Sequence, residues 1–401
     1  MRFDFSPEDE AFRLEVRSFF QEHLPRDMAR RFHVGAHPPA RADIRAFQAM
    51  LHARGWGAPH WPVAWGGTDW SPLRKHIFME ELYEADGLDY SWQGLHMVAP
   101  VLIAFGSEAH KRRFLPPMIR GDEFWAQGFS EPGAGSDLAS LRTRAELVGD
   151  EWVVNGQKIW TSDARMSEWG FFLVRTDAGV KPQRGISFLL IPMDTPGITI
   201  RPITSIEGGT GLNEVFLENV RVPRGNLVGE AGMGWTYAKY LLEKERTASA
   251  FLYFNKRELE KARVIAAGVR VGAGRLIDRP EFSGRLARVE VDVQALEYSV
   301  LRVLSQETSH RNLDAVVSAL KLRGSMLQQR VTDLQVDAMG LHALRFWEHG
   351  EGEVIAPEQA ATWPESVPGR TAGALIARAS TIYGGSQEIQ KNIIAKLAFG
   401  L

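Results

Sequence analysis

Two stretches decide how this chain reads: Phe129-Ser130-Glu131-Pro132-Gly133-Ala134-Gly135-Ser136-Asp137, and downstream Asn155-Gly156-Gln157-Lys158-Ile159-Trp160-Thr161-Ser162-Asp163. The first is a glycine-rich loop. Gly133 and Gly135 permit φ > 0 and close backbone approach, so amide N–H groups can face an anion with no Cβ in the way. Ser136 adds a hydroxyl suited to phosphate or polyol oxygens. The second stretch ends a hairpin on Trp160, a flat apolar face for a ring, with Thr161 and Ser162 as polar contacts at its edge. Alone, the glycine-rich loop reads as readily as a surface turn. The second segment makes that reading hard to keep.

Outward from this pair, the period of the sequence changes twice. From residue 6 to about 120 it is helical: Ser6-Pro7-Glu8-Asp9 is an N-cap with Pro at N1 and acids in the first turn, and Phe12, Val16, Phe19 and Phe20 follow at helical spacing. Further helical runs surround 47–51, 77–83 and 98–105, broken by the Trp-, Pro- and Gly-rich stretch 55–72. Between about 123 and 228 the segments 141–148, 152–154, 170–175, 186–192, 198–203 and 214–220 read as short strands, with Gly149-Asp150 as a hairpin turn. From about 233 the pattern predicts four long helices, over 233–271, 282–309, 312–345 and 371–397, forming a bundle. The Gly-, Glu- and Pro-bearing stretch 346–370 reads as a loop or lid. The expected fold is therefore multi-domain α+β. It has an N-terminal helical domain (1–122), a central β-barrel-like domain (123–228) and a C-terminal four-helix bundle (229–401).

Bulk properties narrow the function. At 401 residues, 44% hydrophobic and 24% charged, the chain has the make-up of a soluble globular protein of two or three domains. A net charge of −2 offers nothing to nucleic acid or an anionic membrane. The acidic start is no signal peptide, no apolar run approaches a membrane span, and cysteine is absent, which excludes thiolate catalysis and fits a cytoplasmic enzyme. His and carboxylates do not fall into metal-binding spacing, so no metal is expected. No GxGxxG follows a strand, so a Rossmann dinucleotide site is not supported.

The loop–hairpin pair and the helical, β, helical order resemble the acyl-CoA dehydrogenase family over nearly the whole chain. That resemblance implies FAD as cofactor, with Phe129, Ser130, Gly135, Ser136, Trp160, Thr161, Ser162, Ser386 and Glu388 at positions that contact it. Ser162 stands where the family usually has Thr, a swap that keeps the hydroxyl. The implied reaction is α,β-dehydrogenation of an acyl-CoA thioester. A base removes the α-proton while hydride leaves the β-carbon, and preorganised donors hold the thioester oxygen. The implied acceptor is an electron-transferring flavoprotein, and the implied assembly a tetramer.

Two departures refine the expectation. Most family members carry the catalytic Glu where this chain has Gly384, within Ile382-Tyr383-Gly384-Gly385-Ser386-Gln387-Glu388. Gly384 can still offer its backbone N–H to the thioester oxygen but cannot take a proton. Glu245 is the candidate base, because in members lacking the usual Glu, such as the isovaleryl- and long-chain-specific branches, a Glu directly before the equivalent of Arg246 serves. Helical geometry agrees: the i±3 and i±4 neighbours of Glu245 are Leu241, Leu242, Ala248 and Ser249, whereas those of Glu243 are Lys239, Tyr240, Arg246 and Thr247. Arg246, Tyr383 and Ser136 are the expected substrate contacts. The volume freed at Gly384 points to a bulky, branched or cyclic acyl group.

The second departure concerns assembly. Where family homotetramers carry Arg-x-x-Phe-Gly and Gln-x-x-Gly-Gly segments for a neighbour's FAD, this chain has Arg279-Pro280-Glu281-Phe282-Ser283-Gly284 and Asp337-Ala338-Met339-Gly340. With Tyr383-Gly384-Gly385-Ser386, these changes resemble the catalytic subunits of heteromeric acyl-CoA dehydrogenases acting on steroid side chains or dicarboxylic acyl-CoAs. A heterotetramer with a sister chain is then expected in place of a homotetramer. The alternatives are a non-catalytic subunit of such a heteromer and an oxidase-like flavoenzyme.

Overall fold

A computed structural model describes residues 5–34, 39–88, 93–244, 250–305, 313–344 and 369–401. The first six helices are α1 (Pro7–His23), α2 (Arg26–Val34), α3 (Arg41–Ala53), α4 (Pro72–Glu84), α5 (Ala99–Phe105) and α6 (Glu108–Arg120). The expected cap is there: Ser6 Oγ accepts the Asp9 N–H at 3.1 Å, and Pro7 opens the helix. Phe12, Val16, Phe19 and Phe20 are all buried, packed with Phe47, Trp56 and Phe78 in an aromatic-rich core. A π-turn over Gln93–Val98 precedes α5, a distortion with no signature in the sequence.

The strands are β1 (Trp125–Gly128), β2 (Arg144–Val148), β3 (Glu151–Lys158), β4 (Trp169–Arg175), β5 (Ile186–Pro192), β6 (Ile198–Ile203) and β7 (Leu212–Pro223). Among the described residues they form one seven-stranded sheet, ordered β1-β4-β2-β3-β7-β6 with β5 on β4. The hairpin turn falls at Gly149-Asp150 as expected, with Gly149 at φ 62° and Val148 opposite Glu151. The strand expected over 141–148 begins at Arg144, and β1 was not expected at all. β1 runs parallel to β4, Trp125 opposite Trp169. Alternation sorts β4 and β5 between two cores. Phe171, Leu173, Phe188 and Leu190 face the helices, and Phe172, Val174, Leu189 and Ile191 fill the interior of the sheet.

The chain then forms α7 (Gly234–Lys244), α8 (Leu252–Gly268), α9 (Pro280–Leu304), α10 (Leu313–Met339), α11 (Arg370–Ala377) and α12 (Gln387–Phe399), with a two-residue-arm hairpin at 270–275. The single helix expected over 233–271 is two. Phe251 sits at φ 52°, a left-handed conformation no helix interior tolerates, and it starts α8 afresh. The helix expected over 371–397 is likewise divided, because Gly384 at φ 64° and Gly385 at φ 85° turn the chain between α11 and α12. Residues 346–368 of the expected loop lie outside the described residues. α10 runs through the middle of the bundle. A Cβ at Gly324 would lie 1.8 Å from the Ala250 carbonyl oxygen, so only glycine lets the start of α8 approach α10 this closely.

Buried charge ties the helices together. The Glu258 carboxylate on α8 accepts from Lys261 (3.1 Å), Gln335 (2.9 Å) and Arg370 (2.9 Å), while Arg370 and Lys261 also donate to His33 O. Burial alone would raise Glu258; the surrounding cations outweigh it and hold the carboxyl far below its ordinary value. A second cluster brings His76, Glu80 and Glu297 close enough to suggest a metal. Its cation is Lys256, whose ammonium hydrogen-bonds both Glu80 and Glu297. Among the described residues no helix is long and apolar enough to cross a membrane.

Candidate active site

The two diagnostic segments meet where β3 ends. Lys158 is completely buried, and its Nζ donates to Glu131 Oε1 at 2.8 Å and Phe129 O at 3.1 Å. Glu131 also accepts the N–H groups of Arg142 (2.6 Å) and Thr143 (2.9 Å), and Ile159 N–H reaches Ser130 O at 3.0 Å. Burial brings Lys158 down to about 8 against the pull of Glu131. Burial pushes Glu131 up, but the Lys158 ammonium wins and leaves its carboxyl below the usual range. A single buried ion pair therefore joins the glycine-rich loop to the hairpin arm.

Beyond this pin the backbone is strained. Trp160 adopts φ 60° and Asp163 φ 55°, costing on the order of 1–2 kcal/mol for each non-glycine residue. The neighbouring strand holds them there: Thr161 N–H donates to Asn213 O (3.0 Å), Asn213 Nδ2 to Thr161 O (3.0 Å), and Asp163 N–H to Gly211 O (2.8 Å). The result leaves Trp160 55% exposed and buries Thr161 entirely, with its Oγ1 lacking a hydrogen-bond partner among the described residues; the hydroxyl expected at the ring edge on Thr161 thus points inward, and Ser162 carries the accessible one. Ser130 and Ser162 are half-buried, while Gly135 and Ser136 are exposed on the loop. Neither Gly133 nor Gly135 has φ > 0, and a Cβ on either would meet nothing within 4 Å. Their conformational freedom is not used; the open space in front of them is what the structure provides.

The C-terminal turn lies at the start of α8. Tyr383 meets Phe251 edge-to-face at 6.1 Å, and the Lys321 ammonium of α10 stands 5.8 Å from the Tyr383 ring centroid. Ser386 caps α12, its Oγ accepting from Ile389 N–H at 3.4 Å, and exposed Glu388 occupies the first turn. The Glu388 carboxyl is held low by its own backbone N–H and by Ser386. Glu245 and Arg246 lie outside the described residues. Of the approach to them, Tyr237, Ala238 and Leu241 on α7 are buried and Lys239 is exposed.

Model sequences for the N-terminal, middle and C-terminal domains of acyl-CoA dehydrogenases match residues 6–122, 126–220 and 232–399. The chain belongs to the acyl-CoA dehydrogenase family. The acyl-CoA dehydrogenase IpdE1 of Mycobacterium tuberculosis is 36% identical over 398 residues, covering 98% of this chain and 97% of that protein. The crystal structure of the ChsE4-ChsE5 complex from the same organism superposes with a TM-score of 0.83 at 31% identity, over 100% of this chain and 99% of that one. A steroid acyl-CoA dehydrogenase, Tcur3481-Tcur3483, superposes with a TM-score of 0.83 at 28% identity, over 100% and 99%. The three-part helical, curled-sheet, helical architecture expected from the sequence is that of an acyl-CoA dehydrogenase.

Sequence reasoning missed the residues that hold this site. Lys158, Glu131, Asn213 and Lys321 all sit buried with partners in the structure. For Lys158 and Glu131 a signal was at hand, since each lies inside one of the two segments that decide the fold. For Lys321, a lysine in an amphipathic run, there was none.

Proposed function

We propose that this enzyme dehydrogenates an acyl-CoA thioester to the trans-2-enoyl-CoA, with FAD seated on the Trp160 platform. The observation that carries the reading is the Trp160 indole: 55% exposed and held in a strained turn with half-buried Ser162 beside it, it offers a flat heteroaromatic partner a face and a hydroxyl at its edge. Ser130, Ser136, Ser162 and the open backbone at Gly135 would hold the rest of the cofactor, with Phe129, Ser386 and Glu388 at its margins. Bound FAD supplies the hydride acceptor. Glu245 takes the α-proton, and the Gly384 N–H donates to the thioester oxygen as negative charge develops there. Arg246, Tyr383 and Ser136 position the CoA-linked substrate. Among the described residues a Cβ at Gly384 would meet only Lys321 Cε within 4 Å, at 3.8 Å, and that space suits a branched or cyclic acyl group.

A heterotetramer with a sister chain fits the degraded adenine-end segments. Arg279 Nη2 donates to Val271 O at 2.7 Å, Phe282 is buried in the bundle, and Asp337 pairs with Arg285. These side chains are engaged within their own chain. An electron-transferring flavoprotein is the proposed acceptor, and the cytoplasm the proposed setting.

The test is anaerobic addition of a panel of acyl-CoAs to the chain co-expressed with its sister. Bleaching of the flavin band with formation of enoyl-CoA supports the reading, and peroxide release in air would make it an oxidase. A bound flavin that no acyl-CoA bleaches would leave a structural subunit. A sharper check is Ser162→Ala. It removes a half-buried hydroxyl at the edge of the platform, so the apoprotein should stay within about 0.5 kcal/mol of wild type, while FAD affinity falls by about 1 kcal/mol, roughly fivefold. Equilibrium unfolding and a flavin titration read the two effects separately.

A further inference from the structure

We infer that Lys321 is a positioning residue for the dehydrogenation, fixing from beneath the turn that presents the Gly384 N–H. The inference rests on the role given to Gly384 above. Lys321 is 2% exposed in the middle of α10, where a methionine would fill the same volume without the cost of burying an ammonium. Its Nζ donates to Ser380 O at 2.7 Å and lies over the Tyr383 ring, and among the described residues its Cε is the nearest atom to where a Gly384 side chain would begin. One side chain thus bonds Ser380, underlies Tyr383 and borders the space beside Gly384.

The rest of the turn is held from the same helix and from α12. Ser380 Oγ donates to Ser325 O (3.2 Å) and Gln329 Nε2 to Arg378 O (3.2 Å), while Gln390 Nε2 closes on Gly384 O (3.2 Å). Those bonds fix the two ends of the turn. Among the described residues, Lys321 brings the formal charge under its middle. An ammonium there holds the peptide at 384 in place and favours negative charge on whatever oxygen accepts from it, and low local polarity strengthens that effect.

The experiment uses acetoacetyl-CoA, whose α-C–H ionises to an enolate that absorbs in the near ultraviolet, bound to the holoenzyme of wild type, Lys321→Met and Lys321→Arg. Wild type should raise the enolate fraction above that of free probe. Lys321→Met should lower it at least tenfold at fixed pH while probe affinity changes less, and Lys321→Arg, which keeps cation and donor, should restore most of it. A Lys321→Met protein that melts earlier yet ionises bound probe as wild type does would make Lys321 a packing residue and overturn the inference. Wild type that fails to bind the probe at all would overturn the parent reading with it.

Discussion

Replacing Glu245 by Gln is expected to lower the rate of acyl-CoA dehydrogenation by about 10²–10⁴-fold while leaving fold, flavin content and enoyl-CoA binding intact, because it removes only the proton acceptor. The matched control is Glu243→Gln, which should stay within about twofold of wild type, as surface changes usually do. The two positions differ by about 200° around a helix. On α7 the buried side carries Tyr237, Ala238 and Leu241, and the opposite side carries exposed Lys239. Leu241 is one of the neighbours that sequence geometry gives to Glu245. Single-turnover reduction with a labelled α-deuterated substrate separates the two variants cleanly. Equal rates for both would mean that the base lies elsewhere.

The second large effect is structural. Lys158→Met should destabilise the protein by about 3–5 kcal/mol, since it leaves the Glu131 carboxylate buried opposite an apolar side chain. The loss should not stop at stability. Glu131 holds the backbone at Arg142 and Thr143, and Lys158 holds Phe129 O, so the loop and the Trp160 turn lose their common anchor. Flavin affinity should therefore fall further than in Ser162→Ala, where the anchor stays. Adding Glu131→Gln removes the stranded charge but keeps one acceptor for the two amides, so the double variant should regain part of the stability. Urea unfolding free energies of wild type, Lys158→Met, Glu131→Gln and the double variant give the coupling directly. Additive losses would show that the two charges stabilise the loop independently.

The order of elements was legible because each part of the chain keeps one hydrophobic period over many residues. The strand expected over 198–203 is Ile198–Ile203 as observed, and the Ser6 cap formed as its chemistry requires. What stayed hidden depends on the rest of the molecule. Phe124-Trp125-Ala126, after Gly121-Asp122-Glu123, is too short an apolar run to declare a strand, and it becomes one because β4 lies beside it. The break at Phe251 has no glycine or proline to announce it. At the candidate site the residue types were readable but their conformations were not. The left-handed positions fall on Trp160 and Asp163 and not on the glycines of the loop. A lysine in an amphipathic run gives the same signal whether it ends in water or, like Lys321, under a turn far away in sequence.

The Glu258 cluster dictates an order of assembly. His33 belongs to α2, Glu258 and Lys261 to α8, and Arg370 to α11, which is synthesised after both. Until residue 370 has been synthesised, a carboxylate destined for the interior has Lys261 but not its strongest distant partner. Lys256 to Glu80 and Lys261 to His33 O can join the N-terminal helices to α8 earlier, but the buried charge is balanced only when Arg370 arrives. Its contact with His33 O spans 337 residues and closes late in folding. A chain that stops short of residue 370 should hold these helices more loosely and be cut there more readily by protease.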